Sequence, residues 1–171
     1  MTKGLQRSLS RGPKATQNVV TDRLVLSVPL TFTGATGLVA MATAAIAGLP
    51  EGNILLLGAT ANLTFTGPTS ADLADDFQGD YGIGSTPADN NTITGTDVDL
   101  VGSTVIAAAT TEVSANNRGV NAAQVVLDNT DGTGEMNLNA LLDAGEVADG
   151  QSVVVTVTGS VDVAYIVLGD D

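Results

Sequence analysis

From Leu24 to Thr33 the chain alternates strictly, with Leu24, Leu26, Val28, Leu30 and Phe32 on one side and Val25, Ser27, Pro29, Thr31 and Thr33 on the other. A two-residue period is that of a half-buried strand. Pro29 cannot donate to a ladder, so this strand belongs at a sheet edge or carries a break. Gly34 and Gly37 then turn the chain. Residues 38–47 are Ala-rich, which favours helix, but sit among strand-like neighbours; the pattern leaves both open. Gly48–Asn53 reads as a turn, and Ile54–Thr66 as a long strand with Leu55, Leu57, Ala59, Ala61, Leu63 and Phe65 on one face. Gly58 inside it predicts a bulge or a close backbone approach.

Residues 67–91 hold Gly67-Pro68 and Asp72, Asp75, Asp76, Asp80 and Asp89. They predict an irregular excursion with one short element near Phe77–Ile83. Weaker strands are expected over Thr92–Val101 and Thr104–Thr110, and a short one over Gln124–Leu127, ended by Asp128–Gly132. Met136, Leu138, Ala140 and Leu142 alternate along another. After the Ala148-Asp149-Gly150 turn, Val153, Val155 and Val157 face one way. Beyond Gly159-Ser160, Val161, Val163, Tyr165 and Val167 continue that pattern, and the pair reads as a hairpin. Leu30–Gly34 recurs as Leu63–Gly67, which is shared strand-then-turn chemistry rather than a repeat. Seven to nine strands and no clear helix predict an all-β, antiparallel β-sandwich of jelly-roll type.

Composition narrows the chemistry. The 171 residues suit one domain plus a short appendage. There is no Cys and no His, which excludes disulfides, Cys/His zinc sites, thiol catalysis and any Ser-His-Asp triad. With no Trp, two Tyr and three Phe, the chain has few rings on which bases or sugars could stack. The longest apolar run, Leu38–Leu49, is twelve residues, against about 20 needed to cross a bilayer, so no membrane partner is expected.

The charge, −13 overall, is unevenly placed. Lys3, Arg7, Arg11, Lys14 and Arg23 are five of the six cations, and only Asp22 opposes them, so residues 1–23 carry +4 and residues 24–171 carry −17. The acidic body argues against nucleic-acid binding. Residues 1–22, with few apolar positions and a Gly12-Pro13 break, cannot bury a core alone and read as an extended basic arm on a β-sandwich body, residues 23–171. The arm lacks the apolar core and cleavage site of a signal peptide. It is either a solvated terminus or a strap that orders on an acidic or strand-edge partner.

Asp128-Asn129-Thr130-Asp131-Gly132-Thr133-Gly134-Glu135 has oxygen ligands at short spacing. An EF-hand would need Glu at its twelfth position and flanking helices; the twelfth residue is Asn139, and a hairpin-type turn accounts for the composition. Asp72, Asp75, Asp76 and Asp80 hold the carboxylates a glycosidase would use, without aromatic walls for a sugar, and read as a solvated acidic loop. Asn62-Leu63-Thr64 and Asn90-Asn91-Thr92 match the glycosylation pattern, which matters only in a secreted eukaryotic protein. No phosphate-binding loop or nucleophile elbow occurs. No catalytic residue, cofactor or metal site is predicted.

Four stretches together resemble virion structural proteins of tailed bacteriophages, especially marine phages: Gly48–Gly52 leading into Ile54–Ala59, Gly79–Ser85, Asp97–Thr104, and Asp149-Gly150 followed by the Val/Thr strand to Tyr165–Asp171. The resemblance implies a non-enzymatic capsid decoration or cement protein. It implies a trimer bound to the major capsid protein on the capsid exterior, assembled in the bacterial cytoplasm. It brings no catalytic residues. Tail, neck or fibre placement, or a host-surface adhesion module, are the alternatives. On this expectation Lys3, Arg7, Arg11, Lys14 and Arg23 form the capsid-docking arm.

Overall fold

A computed structural model describes residues 19–121 and 124–169. Nine strands follow in chain order: β1 Val20–Thr33, β2 Ala40–Gly48, β3 Gly52–Thr66, β4 Gly79–Gly84, β5 Val101–Ile106, β6 Val113–Asn121, β7 Val125–Asn129, β8 Glu135–Leu142 and β9 Ser152–Gly169. The only helical element among the described residues is a 3-10 turn at Gly95–Asp97. All strand pairs are antiparallel. Sheet one has the order β1-β9-β3-β6, with β7 also on β3; sheet two has the order β2-β8-β4-β5. Segments alternate between the sheets, except that β4 and β5 fall together in sheet two and β6 and β7 together in sheet one. β7 takes Gly52–Leu56 of β3 and β6 takes Ala59–Thr66, so the two act as one interrupted strand. This winding is a jelly roll.

The alternation explains the core. Leu26, Leu30 and Phe32 of β1, Val153, Val155, Val157, Val161 and Val163 of β9, and Ala61, Leu63 and Phe65 of β3 are buried from one sheet. Tyr81, Ile83, Leu138, Ala140 and Leu142 meet them from the other. The Phe65 and Tyr81 rings pack with centroids 5.5 Å apart. The Tyr81 hydroxyl donates to the Asn117 carbonyl at 2.9 Å, and burial pushes it up to about 12. β1 lies at the edge of sheet one, which leaves the missing donor of Pro29 outside the ladder.

The structure decides some of these expectations and corrects others. Residues 40–48 are strand: Ala40 and Ala42 point into the core and β8 supplies their ladder. In β3 a register shift between Leu56 and Gly58 is the bulge the glycine predicted. It also reverses the alternation, so Ile54 and Leu56 are buried while Leu55 and Leu57 lie half-buried on the outer face. The expected terminal hairpin does not form: β9 runs unbroken for 18 residues. Gly159, at φ +137, is there because a Cβ would meet the Asn62 carbonyl at 2.1 Å, not because the chain turns.

Thr92–Val101 is mostly loop. Asn90 Oδ1 accepts from the Thr92 backbone, Asp97 Oδ2 from that of Thr94, and Asp99 Oδ1 from that of Ser85, so side chains take the bonds a ladder would have used. The next strand starts at Val101 and ends at Ile106, short of Thr110. β6 falls where no strand was expected. Finally, β1 begins at Val20, inside the segment read as an arm. Val20–Asp22 pair with Tyr165–Val163, and Tyr165 Oη donates to Asp22 Oδ2 at 2.8 Å.

Candidate interaction surface

The two sheets present unlike outer faces. Over sheet two lies the 85–99 loop. Ala88, Ile93 and Leu141 form a second small core beneath it, with Val39, Met41 and Val98 packed around them. The loop is pinned by Asn139, fully buried on the outward side of β8. Its amide nitrogen donates to the Thr86 and Asp97 carbonyls at 3.0 and 2.8 Å. Its oxygen accepts from the Ala88 backbone at 2.9 Å and the Thr43 hydroxyl at 2.6 Å. A buried amide with all these partners costs nothing in unmet bonds and orders the loop.

Nothing among the described residues covers the outer face of sheet one. Register puts its side chains in rows. One runs Val120, Thr60, Asp162, Arg23; the next runs Arg118, Asn62, Ser160, Val25; a third runs Thr66, Thr156, Pro29. Threonine, serine and valine dominate, and Val25 is 83% exposed. Farther along, Val126, Leu55 and Ile166 form an aliphatic row. The bulge at Gly58 leaves a shallow depression of about 620 Å³ between these zones, bordered by Arg23, Leu57, Thr60, Val120 and Asp162.

Of the predicted docking residues, Lys3, Arg7, Arg11 and Lys14 lie outside the described residues. Arg23 stands on β1 at the rim of the depression. Its Nε lies 3.7 Å from Asp162 Oδ1, and its guanidinium donates to Ser160 Oγ at 3.2 Å. Both side chains of that pair are more than half exposed, so it is worth about 1 kcal/mol or less. Sequence reasoning did not single out Arg118 for this face. The available signal was that it is the only cation beyond residue 23. It was missed because β6 itself was missed.

The 128–135 loop spends its oxygens on itself. Asp128 Oδ1 accepts from the Thr130 backbone and hydroxyl, Asp131 Oδ1 from the Thr133 backbone, and Asn129 Oδ1 from the Gly134 backbone. The bonds from Thr133, backbone first, hold Asp131 below the usual carboxylate range. This is turn chemistry, and no group of three acidic side chains able to hold a metal occurs among the described residues. The acidic excursion is divided. Asp80, on β4, is raised by burial and then by the charge of Asp143; Glu146 is raised by burial, then by Asp76 and Asp143. Asp72 and Asp75 use backbone groups to tie loops together, their carbonyls accepting from Ala148 and Glu112. Most of the acids lie on loops and strand ends; Asp162 is the one in the middle of the flat face.

No family model matches this chain, and no curated protein is similar to it in sequence. Among solved structures it is similar to a chain of the cyanophage Pam1 capsid asymmetric unit, at 19% identity over 88% of this chain and 85% of that one, with a TM-score of 0.38. It is also similar to a chain in the three-dimensional structure of maize chlorotic mottle virus, at 10% identity over 90% of this chain and 95% of that one, with a TM-score of 0.39. A third is infectious bursal disease virus of the Gt strain, at 12% identity, where 86% of this chain corresponds to 32% of the other at a TM-score of 0.39.

Proposed function

We propose that this chain is a non-enzymatic virion structural protein that binds the outer surface of a tailed-phage capsid and stabilises the shell. The observation that carries this is the division of labour along the chain. A jelly roll with an open sheet face of no net charge follows a segment holding four of the six cations, and a fifth, Arg23, stands near the start of β1. Such a body offers contact surface, and the sequence resemblance to marine-phage virion proteins points the same way. In this reading Lys3, Arg7, Arg11, Lys14 and Arg23 lie on acidic major capsid subunits, and the segment before β1 adds backbone pairing to their edges. The acidic body faces outward and keeps particles apart. The protein acts as a homotrimer on the capsid exterior, assembled in the host cytoplasm.

The test is particle occupancy. Deleting residues 2–18, which spares β1, is expected to leave the sandwich folded by circular dichroism and to strip the protein from capsids. Neutralising Lys3, Arg7, Arg11 and Lys14 together is expected to weaken attachment less and to flatten its salt dependence. Full occupancy by the deletion variant overturns the docking role. Copy number on the same particles separates head from tail: hundreds of copies place the protein on the head, small multiples of three or six on a tail or neck.

A further inference from the structure

The outer face of sheet one differs in charge from everything around it. Residues 24–171 carry −17, yet on the outward side of β1, β9, β3, β6 and β7 the charged residues are Arg23, Arg118, Asp162 and, at the β7 end, Asp128, a net charge of zero. Arg23 and Asp162 pair with each other. Arg118, exposed in the middle of β6 and opposite Asn62, makes no ion pair among the described residues. A strongly acidic protein has thus kept its surplus of anions off one flat face and left Arg118 on it without an ion partner among the described residues.

Four strands about 4.8 Å apart and about 14 residues long at about 3.3 Å each cover roughly 900 Å². A standard protein interface takes about 800 Å² from each partner. The face is also unlike sheet two, whose outer side the chain covers with its own loop.

We propose that this face is where copies of the chain associate, and that Arg118 receives a carboxylate of the neighbouring copy. Charge complementarity identifies the occupant. The remaining surface of each copy carries its surplus of anions, so the face of one copy fits an acidic surface of the next. Such a contact is heterologous and closes as a ring when its rotation allows. Thr156, Thr158, Thr64 and Ser27 supply hydroxyls that donate or accept as the neighbour requires. The inference rests on the proposed virion role only in taking the protein to work as repeated copies, and it is tested without capsids.

The experiment is sedimentation of the full chain at micromolar concentration, with circular dichroism as the folding control. Wild type is expected to be a closed oligomer. Arg118→Glu and Val120→Asp are expected to sediment as folded monomers, and Arg118→Lys to retain most of the oligomer. Val105→Asp, which places the same charge on the exposed edge strand of sheet two, is expected to leave it intact. Monomeric wild type overturns the proposal, including the case in which residues 1–18 of the same chain cover the face. So does an oligomer that survives both Arg118→Glu and Val120→Asp, or one that Val105→Asp disrupts equally. Loss of capsid attachment on deleting residues 2–18, with the oligomer intact, would leave the two proposals separately supported.

Discussion

Asp143 sits where two other carboxyls feel it. Asp80 and Glu146 are both raised, first by burial and then by neighbouring charge, which Asp143 contributes to each. A raised carboxyl binds its proton more tightly in the folded protein than in the unfolded chain. Above the raised folded value the repulsion is fully present, and it is relieved as pH falls through that value toward the unfolded one. Asp143→Asn is therefore expected to stabilise the protein at pH 7 by no more than about 0.5 kcal/mol, as befits part-exposed groups, read as a slightly higher thermal midpoint. The advantage over wild type should shrink at acid pH, as Asp80 and Glu146 take up their protons and the repulsion is relieved. An equal advantage at both pH values would remove the electrostatic explanation. Tyr81 gives the opposite end of the scale. An unfolded tyrosine ionises near about 10, whereas burial pushes Tyr81 up to about 12, so its contribution to stability falls as pH rises across that interval. Its phenolate absorbance is expected to appear together with loss of the near-ultraviolet dichroism, not before it.

Gly159 shows how one position decides an element. In sequence, Gly159-Ser160 between two Val/Thr runs is indistinguishable from a turn; in the fold it lets the β9 backbone lie against the Asn62 carbonyl of β3. Gly159→Ala combines that clash with a left-handed φ. It is expected to cost more than about 2 kcal/mol in urea unfolding; a loss under 0.5 kcal/mol would mean that the two strands separate freely there. The clearly alternating strands were legible: β1 with its edge proline, the inward positions of β8, and the inward valines of β9. So was the bulge at Gly58, though not its effect on the phase of Leu55 and Leu57, because alternation is read across a bulge as if it were absent. β6 escaped because Ser114, Asn117 and Gly119 occupy its inward positions. Asn117 donates to the Leu63 and Ser114 carbonyls and accepts from the Ala107 backbone. A strand that buries an amide in place of a valine has no hydrophobic period to detect. For the same reason the face carrying Arg118 could not be assembled from the sequence, which shows the cation but not the rows around it.

At the scale of the molecule the sandwich is lopsided, one face roofed and the other open. Asn139 holds the roof. Asn139→Ala leaves the Ala88 donor and the Thr86 and Asp97 acceptors without their partner, at about 2 kcal/mol. Hydrogen exchange is expected to show the 85–98 amides losing protection while β8 and β4 keep theirs; unchanged protection in the loop would assign its order to Ile93 and Ala88 instead. The pairing of β1 with β9 has a mechanical meaning as well. Val20 lies opposite Tyr165 and Thr33 opposite Ser152, so tension between the outer ends of these two strands meets the ladder at one rung and peels it open in sequence, at low force. Tension on the start of β1 against the far end of the sandwich runs along the strand and strains all the rungs together. A tether leaving through the segment before Val20 therefore resists lengthwise drag far better than it resists being pulled away from the end of β9.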